Sequence, residues 1–155
     1  MFRKIQISKV TKIEVDHSKN LSDLIYESGL RFSLPIIYRE FSEKLYKPQI
    51  SKMCLVTNKD TFDANEFTAC LAKKGLRHAT VKELASYWKY VKCDFEILYC
   101  LGTVMDFAGS RYVPYISEAY GNRLTYNFIG FGIKEPIFIG VSSPTPTYYV
   151  CVYTD

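Results

Sequence analysis

Apolar residues in the segment 5–15 recur at intervals of two and three: Ile5 and Ile7, then Val10, then Ile13 and Val15. Alternation with a shift of phase predicts a long strand carrying a bulge, or two short strands. Asn20 or Ser22 can cap a short helix whose apolar positions are Leu21, Leu24 and Ile25, and Gly29 suits its C-terminal end. Between Pro35 and Pro48, Ile37, Phe41 and Leu45 fall four apart and predict a further helix. Met53-Cys54-Leu55-Val56 reads as a short buried strand, closed by the polar turn Thr57-Asn58-Lys59-Asp60.

The next stretch carries stop and start signals. Asp63-Ala64-Asn65-Glu66 resembles a capping box opening a helix with Phe67, Cys70 and Leu71 on its core stripe, and Gly75 stands where a left-handed residue ends such a helix. A second box, Thr80-Val81-Lys82-Glu83, starts a helix in which Val81, Leu84, Ala85, Trp88 and Val91 share one face and Lys82, Lys89 and Lys92 point outward. Strands are predicted after it over 96–104, 111–117, 123–128, 136–141 and 148–153, with short breaks suited to hairpins. Helices followed by consecutive strands indicate an α+β fold: two helices, then an antiparallel meander, with an N-terminal strand-helix extension.

A chain of 155 residues can form one ordinary domain, or a core with a smaller appendage. Charge divides it. Residues 1–52 hold ten Lys/Arg against six Asp/Glu, whereas 53–155 hold ten of each, so the first third carries the whole excess of +4. The organisation expected is a basic strand-helix region, 1–52, packed on an α+β core, 53–155, that ends in an extra strand. Thirteen Tyr and ten Phe against one Trp suit strands and half-buried surfaces. Five cysteines, none in a Cys-x-x-Cys pair, give neither a disulfide framework nor a zinc site, and they favour a reducing, cytoplasmic setting. The N-terminus lacks the apolar stretch of a signal peptide, and no apolar run approaches about 18 residues.

Gly75-Leu76-Arg77-His78-Ala79-Thr80-Val81-Lys82-Glu83-Leu84, Leu101-Gly102-Thr103-Val104, Arg111-Tyr112-Val113-Pro114-Tyr115-Ile116, Arg123-Leu124 and Asn127-Phe128 together resemble a family of uncharacterised environmental-bacterial proteins. Its order is a Gly-Leu-Arg-Pro-Ala-Thr helix start, an Ala-Leu-Gly-Ser strand and an Arg-Tyr-Val-Pro-Tyr strand. The same helix start resembles, more distantly, the Gly-Trp-Arg-Leu-Pro-Thr-x-x-Glu-Leu signature of C-type-lectin-like proteins, which implies that fold for the core. His78 replaces the usual Pro, Trp is missing near Phe128, and residues 142–155 run past the usual end. The calcium-binding motifs of true lectins are absent, so calcium-dependent sugar binding is not implied, and the resemblance brings no established activity.

Candidate chemistry is sparse. No phosphate loop, Gly-x-Ser-x-Gly elbow or His-Glu-x-x-His is present, and neither metal nor cofactor is expected. His78 with Cys70, and a loop holding Asp106, Gly109, Ser110 and Arg111, form the core of an enzyme reading. Capping accounts for Glu83, and the helical stripe accounts for Trp88. On one strand Arg111, Val113 and Tyr115 alternate with Tyr112, Pro114 and Ile116, and one of these rows must be core. The row left outside, with Tyr120, Asn122, Arg123 and Phe131, would give a Tyr/Arg patch of the kind enriched at interfaces. The leading expectation is therefore a non-enzymatic module that binds a protein partner, a role that would suit a phage or mobile-element inhibitor of a host system. The alternatives are a small enzyme using His78 and the 106–111 loop, and a nucleic-acid-binding protein using the basic first third.

Overall fold

A computed structural model describes residues 5–32, 49–58, 62–90, 97–103, 105–107, 110–117, 123–128, 138–139 and 147–154 of the chain. The first apolar segment forms two strands, β1 (Ile5–Ile7) and β2 (Thr11–Val15), both antiparallel to the long strand β4 (Gln49–Asn58). From the pair Ile7↔Val56 to the pair Thr11↔Met53 the first segment advances four residues while β4 advances three. One extra residue is thus held in a bulge, where the Ser8 amide donates to the Leu55 carbonyl at 2.9 Å and the Leu55 amide donates to Ser8 Oγ at 2.8 Å. An inserted residue reverses the facing of every side chain beyond it. Ile13 and Val15 accordingly enter the core on one face of the sheet, while Ile5 packs against the cluster on the other.

Helix α1 (Leu21–Glu27) is capped as its sequence predicts, with Asn20 Oδ1 accepting from the Asp23 amide at 3.0 Å and Gly29 in the left-handed region at φ 80°. Helix α2 (Ala64–Lys73) buries Phe67 and Leu71 completely, and Gly75, at φ 71°, follows its last turn. The stretch after Gly75 departs from the expected direct passage between helices. Leu76–His78 forms a strand, β6, paired antiparallel with β12 (Thr147–Tyr153) through Val152↔Arg77 and Cys151↔His78. Only then does α3 (Val81–Tyr90) begin.

The capping box of α3 is present in full: the Thr80 amide donates to Glu83 Oε1 at 2.9 Å and the Glu83 amide to Thr80 Oγ1 at 3.4 Å. Trp88 is buried, as expected, and Lys89 is exposed. Lys82 corrects the outward reading. It is 2 % exposed, and its Nζ donates to the His17 carbonyl at 3.3 Å. The cause is position: α3 packs against both β2 and α1, so every residue from Val81 to Trp88 is buried and the helix has no broad solvent face there.

The strands form a mixed sheet and not a simple antiparallel meander. Its backbone order is β1-β4-β12-β7-β9-β10-β3, with β7 (Ile97–Tyr99), β9 (Ser110–Ser117), β10 (Arg123–Phe128) and β3 (Arg31–Phe32); β2 and β6 join through β4 and β12. The last strand inserts between β4 and β7 and runs parallel to β7, and β3 runs parallel to β10. β8 (Met105–Phe107) pairs with β9 through Asp106↔Arg111 and Phe107↔Ser110, so Asp106 and Ser110 lie in strands where a loop was expected, and Arg111 lies in the strand predicted over 111–117. Of the strand expected over 136–141 only Phe138–Ile139 is described; it forms β11, which lies outside the main sheet and pairs with β5 (Phe62–Asp63). The helix expected between Pro35 and Pro48 falls outside the described residues.

Alternation assigns the two faces. Met53, Leu55, Val150, Val152, Leu98 and Ile116 meet α1 and α3, whereas Cys54, Val56, Tyr149 and Cys151 meet Phe67 and Leu71 of α2. The chain is α+β, with the sheet between helices on both sides. Among the described residues no helix is long and apolar enough to cross a membrane.

Candidate functional site

The segment that most resembles a signature is a structural junction. Arg77 Nη1 and Nη2 donate to the two carboxylate oxygens of Glu83, each at 2.8 Å, and Nη1 also reaches the His78 carbonyl at 3.1 Å. Glu83 is 1 % exposed, so its charge is answered by one guanidinium and by the amide and hydroxyl of Thr80. The Leu101-Gly102-Thr103 stretch docks on the same backbone: the Gly102 amide donates to Ala79 O at 2.9 Å, and Thr103 Oγ1 accepts from the Val81 amide at 2.9 Å. Two motifs about twenty residues apart thus hold one another, which explains their residue types without a ligand.

His78 is partly buried on the α2 side of the sheet. Its Nε2 meets Thr68 Oγ1 at 3.0 Å, and its Nδ1 is buried with no hydrogen-bond partner. Burial lowers its pKa to about 4, so the imidazole is neutral near pH 7. Its partner is a threonine hydroxyl and not the Cys70 thiol. Cys151 stands opposite His78 on one side and opposite Cys54 on the other, and burial pushes both thiols up, Cys54 to about 11. Such thiols are poor nucleophiles. Among the described residues no group of three His, Cys, Asp or Glu could hold a metal ion. Asp106 and Arg111, from the other half of the enzyme reading, belong to the β8–β9 pair, whereas β6 pairs with β12.

The expected interface residues divide. Pro114 and Ile116 are buried, so their row of β9 is core. Register pairs Leu124, Tyr126 and Phe128 with Ile116, Pro114 and Tyr112. Arg111 and Tyr115 occupy the alternate row, and Arg123, opposite Ser117, joins them. Tyr120, Asn122 and Phe131 lie outside the described residues.

The structure adds two tyrosines that sequence reasoning missed. Tyr115 is opposite Tyr99, and Tyr99 is opposite Tyr149, so three tyrosines from β9, β7 and β12 stand in one row. Their rings are 5.4 Å apart for Tyr99–Tyr115 and 6.0 Å for Tyr99–Tyr149, and Phe67 closes the inner end at 5.0 Å from Tyr149. Exposure grades along the row. Tyr149 is buried, with its hydroxyl pKa pushed far up by desolvation, while Tyr99 and Tyr115 are half-buried. The signal in the sequence is the odd-numbered tyrosine in each strand, but the row exists only because β12 lies beside β7.

Two clefts differ in charge. One, of about 220 Å³, lies where β2, α1 and α3 meet, and its acids Glu14, Asp16 and Glu27 are set against Lys19 and Lys89; Lys19 Nζ bonds Glu27 at 2.7 Å. The other, of about 560 Å³, lies where β4 begins and β12 ends, and Lys12, Lys52 and Arg77 are among the described residues that line it. Lys12 and Lys52 are direct cross-strand partners, both exposed, and neither has an ion-pair partner among the described residues.

No family model, no curated protein and no solved structure matches the chain.

Proposed function

We propose that this chain is a non-enzymatic binding module whose tyrosine-bearing sheet face engages a protein partner. The observation that carries the reading is the half-exposed Tyr99–Tyr115 pair at the outer end of an aromatic row whose inner end is fixed against α2. A buried anchor holds the outer rings in place before a partner arrives, so little side-chain freedom is lost on binding. Tyrosine supplies apolar area and a hydroxyl together, and it is among the residue types that dominate binding energy at interfaces. The neutral His78 and the high thiol pKa values of Cys54 and Cys151 weigh against a catalytic centre on that face. The pairing of β4 with β12 brings the two ends of the core together around α2 and α3, which supports reading that core as C-type-lectin-like.

The test compares capture from a relevant lysate by the wild-type chain and by a Tyr115→Ser, Arg123→Glu double variant of unchanged far-UV spectrum. The reading expects a protein retained by the first and lost by the second. Identical capture by both, or no capture together with turnover in an activity screen, would remove it.

A further inference from the structure

The hydrogen-bond phase of β4 fixes which backbone groups β2 turns away from it. The amide and carbonyl of Leu55 are directed at Ser8, on the β1–β2 side, while the carbonyl of Val150, opposite Leu55 on β12, bonds the Ala79 amide. Alternate residues of a strand point the same way, so Met53, Ser51 and Gln49 bond their partners Thr11, Ile13 and Val15. The amides and carbonyls of Lys12 and Glu14 therefore point out of the far edge of β2. Among the described residues no strand pairs with that edge, and no backbone hydrogen bond reaches those groups. Such a row is a template for another strand.

The edge complements itself. When a second copy is set antiparallel about a two-fold axis through Ile13, Lys12 faces Glu14 of the second copy and Glu14 faces its Lys12. Both are hydrogen-bonding pairs, so every outward group of Lys12 and Glu14 finds a partner, and both join opposite charges. The exposed row across the joint runs Lys52, Lys12, Glu14, Ile50, which sets a carboxylate beside a lysine whose own cross-strand partner is a lysine. On the core-facing side Ile13 meets its counterpart at the axis. An axis through Lys12 or through Glu14 sets like charge against like. An axis between residues brings groups already bonded to β4 to the joint.

We propose that β2 is a homodimerisation edge, joining two copies of this chain antiparallel through Lys12–Glu14 pairs into one continuous sheet. The tyrosine row lies on β9, β7 and β12, so this proposal does not depend on it.

Sedimentation velocity of the full chain from about 1 μM to 1 mM, with amide exchange followed by NMR, tests this. The sedimenting species should pass from one chain to two as concentration rises, and the Lys12 and Glu14 amides should gain protection in step. Lys12→Glu and Glu14→Lys each set like charges opposite at two symmetric places, so each should raise the dissociation constant about tenfold or more. Combined in one chain, they should return it to within about threefold of the wild type. Glu14→Pro removes an outward donor and no bond to β4, so it should abolish the dimer and leave the far-UV spectrum unchanged. If that variant does not fold, the two reversals, both at exposed positions, decide the matter alone. A chain monomeric throughout, a dimer indifferent to the reversals, or a double variant no tighter than either single one would overturn the proposal. Protection of both amides in a monomer would overturn it too, in favour of another segment of the same chain on this edge.

Discussion

Gly102 lies directly against the carbonyl of Ala79: its amide donates to that oxygen at 2.9 Å, and a Cβ placed on it would stand 2.5 Å from the same oxygen and 2.8 Å from the carbonyl oxygen of His78. All the atoms in the way are backbone, so no side chain can turn aside. Gly102→Ala should therefore push β7's continuation off the 78–79 backbone and cost about 1–3 kcal/mol or more in urea denaturation. A loss below about 0.5 kcal/mol would mean that this approach is not required for folding.

Arg77 and Glu83 couple the end of β6 to the first turn of α3. Glu83→Ala removes both the ion pair and the reciprocal cap, so it should cost about 2–4 kcal/mol, below the full cost of breaking a wholly buried pair because the Arg77 side chain is 42 % exposed. Arg77→Ala should cost at least as much, since it leaves the buried Glu83 carboxylate with only the amide and hydroxyl of Thr80. A double-mutant cycle should return a coupling above about 1 kcal/mol. Additive losses would show two independent effects.

His78 gives the fold a pH dependence of definite sign. Its pKa falls from an ordinary 6.5 to about 4 because burial disfavours the imidazolium. Above pH 6.5 the ring is neutral in both folded and unfolded chains and contributes no slope. As pH falls from 6.5 towards 4 the unfolded chain takes up a proton that the folded one refuses, so stability declines across that window and this contribution levels off below it. The decline attributable to this residue should reach about 2–3 kcal/mol. His78→Gln, which keeps a polar group towards Thr68 and cannot titrate, should flatten the difference between the two pH extremes. Parallel profiles for wild type and variant would show that the histidine charges freely in the folded state.

Trp88, 5 % exposed in the core beneath the sheet, should cost about 3–5 kcal/mol when replaced by Ala. The indole fluorescence of the wild type should be blue-shifted and poorly quenched by iodide. A loss below about 1 kcal/mol would place the ring at the surface.

Much of the local structure was legible residue by residue. Asn20, Thr80 with Glu83, and Gly29 and Gly75 set helix ends through short-range hydrogen bonds and backbone conformation, and each does so in the structure. The bulge in 5–15 was visible as a shift of phase because Val10 breaks the alternation. The strand Leu76–His78 was not, since three residues between two helix signals carry no periodicity and pair only with a strand more than seventy residues away. Lys82 was misjudged for a related reason. A helical stripe shows which face prefers the core, but whether the opposite face meets water depends on what is packed beyond it, here β2 and α1. Of the expected site, the alternation of β9 was legible and the choice between its two rows was not; the burial of Ile116 decided it.

The sequence by itself determined the class of fold, the capped starts of α1 and α3, the buried tryptophan and the excess of positive charge in the first third, because those follow from nearest-neighbour chemistry and from the period of side chains along one element. Tertiary structure alone decided that β12 enters between β4 and β7, and with it everything that depends on adjacency: the row of Tyr115, Tyr99 and Tyr149, and the end of the sheet where Lys12 and Lys52 share a cleft with Arg77. Strand order is fixed by which faces can be buried together across the whole chain, a long-range condition that no single segment carries.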